Sequence, residues 1–150
     1  MVNEFYNCLI LPNGDVKMDE SVIKHLYMLQ EIINRMASNS FKLKGWAVTL
    51  VAGIFALSSR DSDLIFFLVI YIPIIVFWIL DSFYLQQERK FRIIYDVIRK
   101  NKDTDFSMKW DNSWKTQKTN WFNCLVSFSE IMFYLPLALL STIIVLFKLW

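Results

Sequence analysis

Glycine and proline are scarce in this chain, three of each in 150 residues, and that scarcity excludes most all-β folds, which need turn formers at short intervals. The three glycines, Gly14, Gly45 and Gly53, also lie too far apart to cradle a phosphate. A single histidine, His25, removes most catalytic triads and zinc sites, and no paired carboxylates fall in a stretch that reads as a soluble pocket. Asp103, Asp105 and Asp111 miss the calcium-loop spacing and lack its glycine and closing glutamate. No enzyme, metal or cofactor is therefore expected. The two cysteines, Cys8 and Cys124, are far apart in segments read as cytoplasmic, so free thiols are expected rather than a disulfide framework. Charge of one sign is lacking too: 16 basic against 14 acidic residues leave a net +2, and no nucleic-acid partner is expected.

What the chain has instead is apolar bulk, 55% hydrophobic and 17% aromatic. The fold class this predicts is an all-α membrane protein, with three transmembrane helices, a cytoplasmic two-helix extension and a short N-terminal β-hairpin. Its organising stretch is residues 64–100, where the uncharged run LIFFLVIYIPIIVFWIL passes into DSFYLQQERKFRIIYDVIRK with no glycine or proline after Pro73. That reads as one helix, half in lipid and half in cytoplasm, kinked at Pro73. Beyond the membrane Phe91, Ile94, Tyr95 and Ile98 make an apolar face, and Glu88 can pair with Arg92 one turn on.

Four segments follow from the N-terminus. Residues 1–40 hold a hairpin over 4–18, turning at Pro12-Asn13-Gly14-Asp15, and then an amphipathic helix from about Glu20. In that helix Val22, Leu26, Leu29, Ile33 and Met36 recur at four, three, four and three residues, a stripe that needs a partner helix. His25 reads as a solvated position, and Ser38-Asn39-Ser40 as the interruption that ends the stripe. Residues 41–85 form a transmembrane hairpin whose first helix spans 41–59, with Lys42 and Lys44 snorkelling beside Trp46. Arg60-Asp61-Ser62-Asp63 is its outward loop, because the basic residues Arg35, Lys42, Lys44, Arg89, Lys90, Arg92, Arg99 and Lys100 all flank it on the other side. Residues 86–120 hold the cytoplasmic helix and an interfacial segment in which Trp110, Lys115 and Lys118 read as a membrane anchor. Residues 121–150 hold the third membrane helix, with Pro136 inside it and Lys148-Leu149-Trp150 as the far anchor. This topology places the N-terminus in the cytoplasm and the C-terminus outside.

Three groups of residues are candidates for function. Gly45, Thr49 and Gly53, with Ala52 and Ala56 on an adjoining line, form a small-residue face suited to close helix packing, within one subunit or between subunits. Asp81 and Glu130 sit at the cytoplasmic margins of apolar runs with Arg35, Lys42, Lys44 and Arg89 within the same zone. They read either as a polar ring at a pore mouth, or a pair holding a closed state, or as helix-end carboxylates solvated by headgroups and water. Leu26, Leu29, Ile33 and Met36 facing Phe91, Ile94 and Ile98 would couple the cytoplasmic helices. Mid-helix polar groups are limited to Thr49, Tyr71, Ser141 and Thr142, which disfavours a selective transporter.

His25-Leu26, Met28-Leu29-Gln30, Ile32 to Ala37, Asn39-Ser40, Lys44-Gly45-Trp46, Phe77-Trp78, Leu80-Asp81, Tyr84-Leu85, Glu88-Arg89, Phe91-Arg92 and Asp105-Phe106-Ser107-Met108 resemble a group of small bacterial membrane proteins. The resemblance covers about residues 20–147, and similar proteins occur among antiphage defence genes. It implies a homo-oligomer of the bacterial inner membrane, in contact with membrane lipid, that senses a ring-shaped phage protein and permeabilises the membrane. The competing class is a non-lytic oligomeric scaffold or adaptor.

Overall fold

The computed structural model describes residues 20–57, 68–100 and 104–149, and among these the chain is all-helical. The expected hairpin over 4–18, the loop 60–63, the first residues of the central apolar run and the Lys148-Leu149-Trp150 anchor lie outside the described residues or side chains.

Helix α1 runs from Glu20 to Leu57, 38 residues without a break. Glu20 sits in its first turn, where a carboxylate favours the helix dipole, and bridges to Lys24 at 2.9 Å. The interruption expected at Ser38-Asn39-Ser40 is absent. Serine and asparagine disfavour a helix by well under ~1 kcal/mol each, and apolar burial on both sides of them outweighs that local preference. At ~1.5 Å per residue, a single rod of about 57 Å results.

Helix α2 spans Tyr71–Lys100 and lies antiparallel to α1: Ile98 and Ile94 meet Val22, Leu26 and Leu29 at one end, while Ile74 and Ile70 meet Ala47 and Val51 at the other. Its start reflects Pro73. Proline has no N–H to offer the carbonyl of Val69, which instead accepts from the Ile72 N–H at 3.1 Å in a turn. Two short 3-10 turns, Asn112–Trp114 and Gln117–Thr119, lead to the five-residue helix α3, Trp121–Leu125. Helix α4, Phe128–Leu149, then runs back along the first part of α2. By length and composition α1 and the Phe128–Phe147 stretch of α4 can each cross a membrane.

The core is split in two. One cluster, Ala47, Val51, Ile70, Ile74, Tyr134 and Val145, lies among α1, α2 and α4. The other, Val22, Leu26, Leu29, Ile94 and Ile98, joins the far ends of α1 and α2, so the two amphipathic stripes cover each other within one chain. Trp110 and Trp114 pack on this second cluster with Met108 and Phe91, and Lys90 lies 5.8 Å from the Trp110 ring. Trp110 is thus a brace for the helix pair, a correction to its reading as a membrane anchor. Large exposed side chains instead crowd the α3–α4 elbow, at Phe122, Val126 and Phe128.

His25 is also corrected: it is fully buried beneath the 104–110 strap, with Nδ1 2.5 Å from Thr104 Oγ1 and its ring 5.5 Å from Phe106. Which segment covers a helix position depends on the tertiary path, which local spacing does not encode. Burial lowers its pKa, against an opposing pull from Asp105. A histidine depressed in the folded state stabilises the fold fully above its ordinary value of 6.5 and loses that contribution as pH falls through the lower folded value. The unfolding midpoint of the detergent-solubilised protein should therefore drop below pH 6.5 more steeply than that of His25→Leu.

A buried ion cluster among three helices

Lys44 on α1 is the point where α1, α2 and α4 meet. Its ammonium bonds Asp81 Oδ2 on α2, Glu130 Oε1 on α4 at 3.1 Å and Ser40 Oγ one turn back on α1 at 3.2 Å. Asp81 Oδ2 also accepts the Tyr134 hydroxyl at 3.2 Å. The carboxylate side chains are 0% and 1% exposed and that of Lys44 is 17% exposed, so the cluster is closed except along the lysine. Phe133 and Tyr134 place their rings 5.8 and 5.9 Å from the ammonium, which adds the attraction of two aromatic quadrupoles.

Sequence position explains why these groups converge. On α1 the stripe Val22, Leu26, Leu29, Ile33, Met36 continues in phase as Ser40, Lys44, Ala47 and Val51. The inward face of the helix therefore carries a cation at the level where α2 turns Asp81 and Ser82 inward. On α4 the buried positions are Glu130, Tyr134, Ser141 and Val145, so the inward face of an otherwise apolar helix is mostly polar. Ser141 bonds the Leu137 carbonyl at 2.8 Å, and Thr142 meets the Tyr71 hydroxyl at 2.7 Å toward the far end of the bundle. Trp78 fixes the α4 register: it stacks on Tyr134 with centroids 5.9 Å apart, and its Nε1 donates to the Leu125 carbonyl at 3.0 Å.

Of the expected polar residues, the structure brings Asp81 and Glu130 together and adds Lys44, whose snorkelling reading gives way to an inward one. The in-phase run from Ile33 through Ser40 to Val51 was the signal for it, obscured by the assumed break at residues 38–40. Tyr134 was not anticipated; its spacing of four from Glu130 places both on one face. Arg35 is exposed and outside the cluster. Arg89, about two turns beyond Asp81, donates instead to the Lys118 carbonyl at 3.0 Å and to Ser127 Oγ at 2.7 Å, with Cys124 Sγ at 3.5 Å. Burial pushes the Cys124 thiol up against the opposing pull of Arg89, leaving it a packed, unreactive thiol.

The small-residue face lies elsewhere. Gly45, Thr49, Ala52, Gly53 and Ala56 are all exposed, and α1 contacts its neighbours through Ala47, Val51, Ile54 and Phe55. A side chain at Gly45 or Gly53 would meet nothing within 4 Å, and the Thr49 hydroxyl turns back to the Gly45 carbonyl at 2.9 Å. Among the described residues nothing packs on Gly45 or Gly53. Among the coupling residues, Leu26, Leu29, Ile33, Ile94 and Ile98 are buried, with Met36 and Phe91 half-buried.

The chain matches no family model, no curated protein and no solved structure.

Proposed function

We propose that this chain is a homo-oligomeric protein of the bacterial inner membrane that opens a pore on a cytoplasmic trigger, with its N-terminus in the cytoplasm and its C-terminus outside. Three spans carry it: the 41–57 part of α1, the apolar run leading into α2, and α4. The observation that carries the proposal is the Lys44–Asp81–Glu130 cluster at the centre of the bundle, reached by a helix that continues unbroken into the cytoplasmic pair. Buried charge in apolar surroundings is costly and marks a place where helices have a polar reason to meet, or to part. A partner that binds the splayed arrangement of α1 and α2 more tightly than the closed one shifts the population toward it. Following the resemblance noted above, the partner is a ring-shaped phage component, and the outcome is arrest of the infected cell.

Copies would meet through the exposed Gly45–Gly53 face, since none of the described residues packs on it. Gly53→Leu enters open space and leaves the fold intact, so it should abolish dye uptake by induced, phage-challenged cells while membrane insertion is unchanged. Unchanged uptake removes that face from the assembly. A wild-type protein that depolarises cells neither with nor without phage would identify a scaffold instead of a pore.

A further inference from the structure

Two carboxylates and one ammonium make an uneven set. If Asp81 and Glu130 are both ionised, Lys44 balances one of them and the cluster holds one net negative charge among side chains that are almost wholly buried. The geometry also leaves two buried atoms, Asp81 Oδ1 and Glu130 Oε2, without a hydrogen-bond partner among the described residues. Both carboxylates bind the same nitrogen through their other oxygens, which holds the two groups side by side. Among the described residues no further cation bonds either carboxylate. The groups facing the pair are Lys44 from α1 and Tyr134 from α4; Cys124 on α3 lies nearby, and Arg89, further along α2, is committed to Lys118 and Ser127.

We propose that Asp81 and Glu130 together form a proton-binding site inside the bundle, holding a single proton between them beside Lys44. The proton converts one orphaned acceptor into a donor aimed at the other carboxyl, which satisfies both oxygens and brings the cluster to neutrality. It exchanges along the partly exposed lysine side chain. This goes beyond the pore reading and does not depend on it, because the site belongs to the resting protomer. Occupancy follows a count of charges: one proton in the wild type, none when either carboxyl is replaced by an amide, two when the ammonium is removed.

Infrared difference spectroscopy on the purified full chain in lipid, exchanged between H2O and D2O near neutral pH, reads that count from the C=O band of protonated carboxyl groups. The band should be present in the wild type, absent in Glu130→Gln and in Asp81→Asn, and about doubled in Lys44→Met. The two amide variants are near-isosteric and each leaves a one-to-one pair, so both are expected to fold; agreement between them guards against a fault in either. A wild type with no such band overturns the proposal, as does a band unchanged in both amide variants. A wild-type band seen only after sodium is replaced by a large organic cation also overturns it, since the site would then hold a metal ion in place of the proton.

Discussion

Lys44→Met is expected to destabilise the detergent-solubilised protein by about 3–5 kcal/mol, the range for removing one partner from a buried ionic set. The methionine fills the space of the aliphatic stem, so the loss isolates the charge. What remains are two fully buried carboxyls, Asp81 and Glu130, with the Tyr134 hydroxyl bonded to Asp81. The measurement is the unfolding midpoint followed by circular dichroism. Combining Lys44→Met with Asp81→Asn and Glu130→Gln should recover most of the loss, because amides of similar shape are neutral without having to take up protons. If the single variant is as stable as the wild type, the cluster does not hold the helices together. In cells the same variant should take up dye without phage, since the closed arrangement has lost its common contact.

Ser38→Pro should have the second-largest effect, and of a different kind. Ser38 is exposed, so its side chain contributes little, but it lies mid-way along α1, between the cluster at Val22–Leu29 and the one at Ala47–Val51. Proline there removes one backbone hydrogen bond and clashes with the preceding turn, costing about 3 kcal/mol and bending the rod. Both clusters can survive on their own side of the bend. The expected result is a protein that inserts and keeps most of its helix content but no longer takes up dye when challenged with phage. Ser38→Ala, which improves helix propensity, should behave as wild type. A proline variant that still responds would mean that the helix pair joined through Val22, Leu26, Leu29, Ile94 and Ile98 does not act through the rest of α1.

The parts of this fold that were legible beforehand share one property: the information sits on a regular period. Val22, Leu26 and Leu29 at helical spacing needed a partner, and Ile94 and Ile98 at the same spacing supplied one; the structure joins them. Asp81 and Glu130 were recognisable because charge next to an apolar run is rare and their depths matched. Three things were hidden for physical reasons. Ser38-Asn39-Ser40 reads as a stop by local preference alone, and the burial on either side of it, which overrides that preference, is not local information. Lys44 looked like a surface anchor because a long side chain at a helix margin can point either way, and only its phase with Leu26, Ile33 and Val51 distinguishes the two. His25 and Trp110 are hidden for one reason: the strap that buries the one is braced by the other, and its path is set by long-range packing.

The grip of α2 on the segment before α4 has a consequence for how α4 is placed. Trp78, Gln86 and Arg89 hold the Leu125 carbonyl, the Thr119 carbonyl and the Lys118–Ser127 pair in turn, along one side of a single helix. The height at which α4 departs is therefore inherited from α2 and owes nothing to the length of the preceding strap. An extra residue slipped in ahead of these fastenings would be taken up as slack. One slipped in after Ser127 would swing Glu130 by about 100° around its axis, out of reach of Lys44, so three residues behind the last fastening set the angular position of everything that follows.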